Sequence, residues 1–303
     1  MEILLARDMG FCFGVRRAVD MMEEAGQELG AMASLGSIVH NRQVVDGLKE
    51  RGIEVIASLE EVRDQPVAIT AHGVGEGVVR ELGERGVPIV DTTCPIVTRS
   101  QQWAKRLTEE GFALVIFGDP DHKEMRGVLG WAHGHVYAIP SVEQLDTPPD
   151  DLPSRIGVLS QTTETEAHFA EFVRALLERR MDKISELRVI NTLCNATTSQ
   201  QAAARELAHQ VDVMFVIGGR ESANTRHLAE VAREEGVETH HVESADEIRP
   251  EWLDGHERVG VTAGASTPDD AIDVVVARLK ELAPGKARKG GVAGSGAAKP
   301  VTE

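Results

Sequence analysis

The sequence predicts an α/β fold of parallel sheets divided among three small domains. Short apolar runs alternate with helical patterns along most of the 303 residues, and this alternation is typical of parallel sheets covered by helices on both faces. The chain also has three cysteines, Cys12, Cys94 and Cys194, which are separated by 82 and 100 residues. Each follows an apolar run and precedes a helical pattern, so we expect three α/β domains at 1–93, 94–190 and 191–283.

The first third alternates strands and helices by its apolar periodicity. The run 3–6 predicts a buried strand, and Cys12 follows it. Further strands are predicted at 33–38, 53–56, 66–71 and 87–91. Helices are predicted at 15–29, 43–51 and 76–85.

The remaining two thirds repeat this rhythm. Strands are predicted at 113–117, 136–139, 155–159, 187–190, 211–217, 239–242 and 258–262. Helices are predicted from 96 to 110, to about 131, from 166 to 181, from Cys194 to 209, to about 235 and from 269 to 282. In such folds ligands bind beyond the carboxyl ends of the strands.

The segment 284–303 differs from the rest of the chain. It is rich in Gly, Ala and Lys and has no apolar periodicity. Such a composition cannot bury enough apolar surface to order itself, which predicts a disordered tail.

Composition excludes several classes of partner. The net charge of −17 argues against nucleic acid and anionic membranes. No apolar run approaches the ~20 residues of a membrane span, and the acidic start of the chain does not resemble a signal peptide. An odd number of cysteines fits poorly with a secreted disulfide framework, so we expect a cytoplasmic protein.

The three cysteines are candidate ligands of a soft metal. A helix N-terminus lowers the pKa of a thiol, which favours the thiolate that binds metals. Zinc sites usually contain close pairs such as C-x2-C, and this sequence has none. An iron–sulfur cluster usually takes four thiolates, so three would leave one iron free to act as a Lewis acid. Spacing alone leaves open the alternative of three unrelated buried cysteines.

Polar residues at strand ends indicate an anion site. His40, His72 and His122 end strands or open helices, and a ring of histidines suits a phosphate or diphosphate. Short hydrogen-bond donors at helix N-termini are supplied by Ser222, Asn224 and Ser266. Their alternative role is that of ordinary helix caps.

Glu124 is the candidate proton donor. It lies two residues after His122 in a polar loop, and a carboxyl group in a closed pocket has a raised pKa that suits proton delivery. The hydroxyl of Thr162 is a candidate to orient that carboxyl group. The alternative for Glu124 is a solvated loop charge.

The chain resembles the 4-hydroxy-3-methylbut-2-enyl diphosphate reductase family. The resemblance covers about residues 10 to 270 and rests on motifs that occur in order. They are Gly10-Phe11-Cys12 with Gly14-Val15, His40-Asn41-Arg42, Ala71-His72-Gly73-Val74, Thr93-Cys94-Pro95, His122 with Glu124, Gln161-Thr162-Thr163, Cys194 with Ala196-Thr197-Thr198, Ser222 with Asn224, and Thr262-Ala263-Gly264-Ala265-Ser266.

This resemblance implies a fold and a reaction. It implies three α/β domains in pseudo-threefold arrangement around a four-iron four-sulfur cluster held by Cys12, Cys94 and Cys194. It implies a diphosphate held by His40, His72, His122, Ser222, Asn224 and Ser266, and proton delivery by Glu124 with Thr162. It also implies loss of the allylic hydroxyl as water with two electrons from a ferredoxin or flavodoxin and two protons, giving isopentenyl and dimethylallyl diphosphate.

Two departures from the family pattern and two competing functions are noted. Ala223 stands where the family often has a second hydroxyl residue, and Lys123 stands where proline is common. A quinolinate-synthase-like lyase resembles the same three-cysteine architecture, and a non-catalytic iron–sulfur sensor is the alternative from another class. The donors suited to a diphosphate favour the reductase over both.

Overall fold

The computed structural model describes residues 1–146 and 152–283, so the predicted tail at 284–303 lies outside the described residues. Within these ranges the strands are β1 (Glu2–Leu5), β2 (Met32–Leu35), β3 (Ile53–Ile56), β4 (Val67–Ile69), β5 (Ile89–Asp91), β6 (Ala113–Phe117), β7 (Val136–Ile139), β8 (Arg155–Ser160), β9 (Glu186–Val189), β10 (Val213–Ile217), β11 (Glu238–Val242) and β12 (Arg258–Ala263).

The α-helices agree closely with the predicted ones. They are α1 (Phe13–Leu29), α2 (Arg42–Glu50), α3 (Glu76–Arg85), α4 (Pro95–Glu109), α5 (Lys123–Leu129), α6 (Glu166–Arg180), α7 (Asn195–Ala208), α8 (Ala223–Glu234) and α9 (Asp269–Leu282). None of the helices in the described ranges is long and apolar enough to cross a bilayer.

The strands form three four-stranded sheets in which every pairing is parallel. Their orders are β3-β2-β4-β5, β7-β6-β8-β9 and β11-β10-β12-β1. Each sheet therefore follows one pattern: its second strand is at one edge, followed by its first, third and fourth strands. In the last sheet, β10, β11 and β12 are the first three strands, and β1 takes the place of the fourth. The predicted α/β class with three parallel sheets is confirmed.

The helices repeat this threefold pattern. Apolar residues of α1 and α2 pack on one face of the first sheet, and those of α3 pack on the other. The second sheet lies between α4 and α5 on one face and α6 on the other. The third lies between α7 and α8 on one face and α9 on the other. The two middle strands of each sheet are consequently buried on both faces.

Strand β1 does not join the sheet of the domain to which the sequence assigned it. The predicted domain boundaries otherwise stay predictions. The first strand of the chain pairs with β12 and so completes the sheet of the last third. It is an edge strand with Leu5 half exposed, whereas the sequence predicted a buried strand. Edge strands have a neighbour on one side alone, and the apolar composition of so short a run does not reveal this.

Each cysteine follows the fourth strand of one sheet and precedes a helix packed on the next sheet. Cys94 follows β5 and precedes α4, Cys194 follows β9 and precedes α7, and Cys12 follows β1 and precedes α1. The three cysteines therefore connect the three sheets in a ring.

Candidate active site

One cavity between the three sheets is lined by every residue that the sequence analysis assigned to the site. The lining includes the three cysteines, the three histidines, the candidate acid and the four short polar residues: Cys12, Cys94, Cys194, His40, His72, His122, Glu124, Thr162, Ser222, Asn224 and Ser266. These side chains come from loops after the two middle strands of each sheet and from the cysteine connections. This placement is where ligands bind in open parallel sheets.

The three cysteines occupy equivalent positions. Each is the N-cap residue of its helix, and each donates its backbone N–H to a carbonyl just past the third strand of a sheet. These bonds join Cys12 to Ala265 at 3.1 Å, Cys94 to Ala71 at 3.0 Å and Cys194 to Thr162 at 2.9 Å. The thiols are partly buried and are not joined in disulfides.

Gly14 makes room for the thiols. A Cβ atom added at this position would lie 2.6 Å from Cys94 Sγ and 4.0 Å from Cys12 Sγ. A contact of 2.6 Å is sterically excluded, so a residue with a side chain cannot stand here without displacing Cys94. The absence of a Cβ atom lets the first turns of α1 and α4 bring two thiols to the same cavity wall.

The expected lowering of the thiol pKa by the helix ends is wrong for two cysteines. Burial raises the pKa of Cys12 and of Cys94 above the ordinary value. Backbone N–H groups of the helix ends act in the opposite direction, but their effect is smaller. Desolvation of a thiolate therefore outweighs the helix end, and a bound cation would be needed to favour the ionised form.

The thiols do not converge on one point. No set of three or more His, Cys, Asp or Glu side chains in the described part of the chain is close enough to hold a single metal ion. A cluster differs from a single ion because its ligands bind separate iron atoms. Three thiols around one cavity with no fourth cysteine fit a cluster rather than a mononuclear site.

The three histidines form a triangle. Ring centroids are 4.5 Å apart for His40 and His72, 5.4 Å for His40 and His122, and 5.8 Å for His72 and His122. His122 is the N-cap of α5, and its Nδ1 accepts a hydrogen bond from the Glu124 N–H at 3.2 Å. Its neutral ring therefore carries the proton on Nε2.

Two ring nitrogens of this triangle have no protein partner. His40 Nε2 and His72 Nδ1 are buried and form no hydrogen bond within the described residues. Buried polar atoms are nearly always paired, so two orphaned nitrogens beside one cavity indicate a bound polar group.

The histidines are neutral at physiological pH. Burial lowers the pKa of His40 and of His122 to about 4, and nearby cations, including Lys123 and Arg226, act in the same direction. Burial also lowers the pKa of His72 well below its ordinary value. A neutral histidine still donates one hydrogen bond, and a nearby anion would favour its charged form.

Glu124 is buried and doubly hydrogen-bonded. Glu124 is 3% exposed. This burial excludes the alternative that its carboxyl group is a solvated charge in a loop. Thr162 donates its backbone N–H to Oε1 at 2.8 Å and its hydroxyl to Oε2 at 2.7 Å. Burial raises the pKa of Glu124, and the two bonds from Thr162 act in the opposite direction. The sequence predicted both the raised pKa and the partner.

The third sheet contributes hydroxyl groups. Ser222 caps α8, and its Oγ accepts from the Thr225 N–H at 3.3 Å, which leaves the hydroxyl proton free. Ser266 Oγ donates to the carbonyl of His40 at 3.3 Å. Ala223 lines the cavity where the family often has a hydroxyl.

Asn224 is held by a residue that the sequence analysis did not identify. Its Nδ2 donates to Gln200 Oε1 at 2.8 Å, and Gln200 Nε2 donates to the carbonyl of Gly10 at 2.8 Å. The Oδ1 atom of Asn224 has no partner within the described residues. Gln200 lies on the second turn of α7. Nothing in the sequence distinguishes it from a glutamine that is packed in the core without a role in the site.

Thr163 and Thr197 also line the cavity. The sequence analysis named them as members of the family motifs but assigned them no role in the site. Thr197 follows Cys194 by three residues and donates its hydroxyl to the carbonyl of Cys194 at 2.9 Å. The i, i+3 spacing after a helix-capping cysteine is the signal that could have identified it.

Comparison with known proteins agrees with this geometry. The family model described as LytB protein matches residues 3–280. The chain belongs to this family. This LytB family member is 44% identical over 285 residues to a protein of Dehalococcoides mccartyi (strain CBDB1) named 4-hydroxy-3-methylbut-2-enyl diphosphate reductase, with 94% of this chain and 100% of the relative covered.

Other relatives of this LytB family member carry the same name. A protein of Geobacter sulfurreducens named 4-hydroxy-3-methylbut-2-enyl diphosphate reductase is 42% identical, with 93% of this chain and 98% of the relative covered. A solved structure described as (E)-4-hydroxy-3-methyl-but-2-enyl diphosphate reductase, the terminal enzyme of the non-mevalonate pathway, is 37% identical, with a TM-score of 0.67, and covers 93% of this chain and 100% of its own.

A more distant structure supports the fold. The E-1-hydroxy-2-methyl-but-2-enyl-4-diphosphate reductase from Plasmodium falciparum has a TM-score of 0.86 at 24% identity. It covers 92% of this LytB family member and 88% of its own chain.

Proposed function

We propose that this LytB family member is a 4-hydroxy-3-methylbut-2-enyl diphosphate reductase that acts in the last step of the non-mevalonate isoprenoid pathway. The observation that carries the proposal is one cavity lined by three thiols, three neutral histidines and one buried carboxyl group. The reaction removes the allylic hydroxyl as water with two electrons and two protons. Its products are isopentenyl and dimethylallyl diphosphate.

Cys12, Cys94 and Cys194 would hold one four-iron four-sulfur cluster. Their equivalent positions at three helix N-termini and the space beside Gly14 support this assignment. When bound, such a cluster would pass electrons from the external donor to the substrate and would offer one Lewis-acidic iron without a protein ligand. Binding of the cluster would replace the thiol protons, and the positive charge of the iron would compensate the buried thiolates.

The histidine triangle and the serines would hold the diphosphate. His40, His72 and His122 offer ring N–H donors, and Ser222 offers a hydroxyl donor. Ser266 would add its hydroxyl by exchanging its hydrogen bond to the His40 carbonyl for one to the diphosphate. The unpaired nitrogens of His40 and His72 are accounted for by this ligand. Asn224 would contribute to the same end of the cavity, but its Nδ2 already donates to Gln200 Oε1, and its unpaired Oδ1 can only accept.

Glu124 would hold the proton that leaves with the hydroxyl. Its raised pKa favours the protonated form, and Thr162 fixes both carboxyl oxygens. The carboxyl group is thus held in a fixed orientation on the wall of the cavity.

A ferredoxin or flavodoxin would supply the electrons, and the cytoplasm is the expected location. The lyase and sensor alternatives are disfavoured by the same residues. Neither alternative accounts for a buried acid that faces a set of donors suited to a diphosphate. The names of the relatives also give the reductase rather than either alternative.

Glu124→Gln is the variant that tests the proposal. It keeps the size and most of the hydrogen bonding of the side chain but removes the transferable proton. We expect kcat with a strong chemical reductant to fall by about 10²–10⁴-fold, the usual cost of losing a general acid. We expect the change in the cluster's absorption spectrum on adding the diphosphate to persist.

Asp121→Asn is the matched control, because Asp121 lies three residues before Glu124, in the turn that precedes α5, with its side chain 89% exposed. It should leave kcat within about twofold of wild type, in keeping with the small effects of exposed surface changes. Wild-type enzyme that releases neither isoprenoid diphosphate would contradict the proposed function. A Glu124→Gln variant with normal kcat would remove the proton-delivery role.

A further inference from the structure

A buried histidine and a buried glutamate lie behind the cavity wall and have no part in the mechanism above. His227 on α8 is 14% exposed and Glu164 is 10% exposed, measured on their side chains. The Nδ1 atom of His227 lies 2.7 Å from the carbonyl oxygen of Thr163. Because a carbonyl oxygen only accepts, Nδ1 carries the ring proton and Nε2 is the basic nitrogen.

The basic nitrogen of His227 lies between an inner and an outer carboxyl group. His227 Nε2 is 3.8 Å from Glu164 Oε2 and 3.9 Å from Glu230 Oε2. The side chain of Glu230 is 51% exposed. The three side chains therefore form a row of proton acceptors from solvent to the interior, each within the reach of a small side-chain movement.

Glu164 lies beside the elements that hold Glu124. It follows the Thr162-Thr163 turn directly, and Thr162 makes both hydrogen bonds to Glu124. Thr163 lines the cavity, and its carbonyl is fixed by His227 and by Gln201 Nε2 at 3.1 Å. Glu164 thus lies two residues along the chain from Thr162, which positions the candidate acid.

The charges around Glu164 favour its protonated form. Burial raises the pKa of Glu164 to about 8, with the carboxylates of Glu230 and Asp119 acting in the same direction and Arg226 in the opposite one. Burial lowers the pKa of His227, with Arg226 and His168 acting in the same direction and Thr163 and Glu230 in the opposite one. At neutral pH the pair consequently stores one proton on Glu164 beside a neutral ring.

The proposed reaction needs such a store. Each turnover consumes two protons, whereas Glu124 holds one, is buried and is bonded to Thr162. Protons must therefore return to Glu124 after each transfer.

We propose that Glu230, His227 and Glu164 form the path by which protons from solvent return to Glu124, an inference that rests on the proposed function. A hydronium ion or buffer acid protonates Glu230. The proton moves to His227 Nε2, forming an imidazolium, and the same nitrogen releases it to Glu164. Glu164 then reprotonates the Glu124 carboxylate and is itself refilled along the same row, so that no electron is transferred in these steps.

Glu164→Gln and His227→Gln test the path through the pH dependence of turnover. Both glutamines retain a polar side chain of similar reach, and the glutamine at 227 keeps a donor for the Thr163 carbonyl. We expect kcat to fall by about tenfold at pH 8, less than the loss of the general acid itself because solvent supplies a slower route. The loss should shrink toward pH 6, where hydronium is more abundant. The solvent deuterium isotope effect on kcat should increase, while the diphosphate-induced spectral change should be unaltered.

Glu234→Gln is the matched control. Glu234 lies on the same helix and also faces a histidine, with Oε1 3.6 Å from His168 Nε2, but both side chains are at least 40% exposed. This variant should retain the wild-type pH profile.

Two results would overturn the path. One is a kcat for Glu164→Gln within twofold of wild type from pH 6 to 9 while Glu124→Gln is inactive. The other is a loss that is equal at every pH, which marks a structural role. Absence of turnover in the wild type would overturn the proposed function as well, so the two failures are distinguishable.

Discussion

At the scale of single residues, the wall of the cavity presents three histidines that are buried or partly buried and uncharged. Their folded-state pKa values lie below the ordinary 6.5. The stability that this depression represents is present above pH 6.5 and is lost as the pH falls toward 4. A diphosphate would reverse the effect locally because an anion favours imidazolium.

Binding of the diphosphate should therefore take up protons. At about pH 6 the free rings of His40 and His72 are neutral, and their unpaired nitrogens can take up a proton when the diphosphate binds. His122 keeps Nδ1 as the acceptor of the Glu124 N–H. Calorimetry in buffers of different ionisation enthalpy measures the number of protons taken up. His40→Asn should reduce that number, whereas His133→Asn, with a side chain 60% exposed, should not. A binding enthalpy that is independent of the buffer would contradict this prediction.

The sequence identified residues whose chemistry is unusual for their position. Three cysteines, three histidines at strand ends and a glutamate in a polar loop are rare enough to mark a site. It did not identify Gln200, Glu164 or His227, because their roles arise from contacts with other parts of the chain. The rise in the pKa of Cys12 and Cys94 was missed for the same reason, since burial is a tertiary property.

At the scale of elements, the site depends on how helices begin. Cys12, Cys94 and Cys194 each end a connection from the edge strand of one sheet and open a helix packed on the next. Lys123 occupies the first position of α5, where proline is favoured. The helix nevertheless begins there because His122 caps it through Nδ1. The departure from the family pattern thus leaves Glu124 in place.

Gly14→Ala should disrupt the cluster site more than the fold. The added Cβ would lie 2.6 Å from Cys94 Sγ, and overpacking of this kind typically costs about 1–3 kcal/mol. We expect reduced iron content after anaerobic reconstitution and a modest fall in the melting temperature.

Gly47→Ala is the control for that substitution. Gly47 lies in α2, and its added Cβ would meet no atom within 4 Å. Replacing an unrestricted helical glycine with alanine typically stabilises by about 0.5–1 kcal/mol. Equal iron content in Gly14→Ala and Gly47→Ala would contradict the role of Gly14.

Most strands and helices were predictable from apolar periodicity, and the pairing of β1 was not. Residues 2–5 form a strand as expected, but their partner is β12, more than 250 positions later. Nothing local distinguishes an edge strand of the last sheet from a strand of the first. The ring of sheets therefore becomes visible only when the chain is folded.

At the scale of the whole molecule, three similar sheets place three different chemistries around one cavity. The first sheet supplies His40 and His72, the second supplies His122, Glu124 and Thr162, and the third supplies Ser222, Asn224 and Ser266. The cysteines between them are equivalent, whereas these loops have diverged. The symmetric part of the site thus suits a symmetric cluster, and the asymmetric part suits one oriented substrate.

Mössbauer spectroscopy of the anaerobically reconstituted protein, with and without the diphosphate, tests the central claim most directly. Three cysteines on a four-iron cluster leave one iron without a protein ligand. The account predicts that one iron environment changes on adding the diphosphate while the others stay constant, and that Cys94→Ser retains little cluster. A spectrum that the diphosphate leaves unchanged, or full cluster retention in Cys94→Ser, would contradict it.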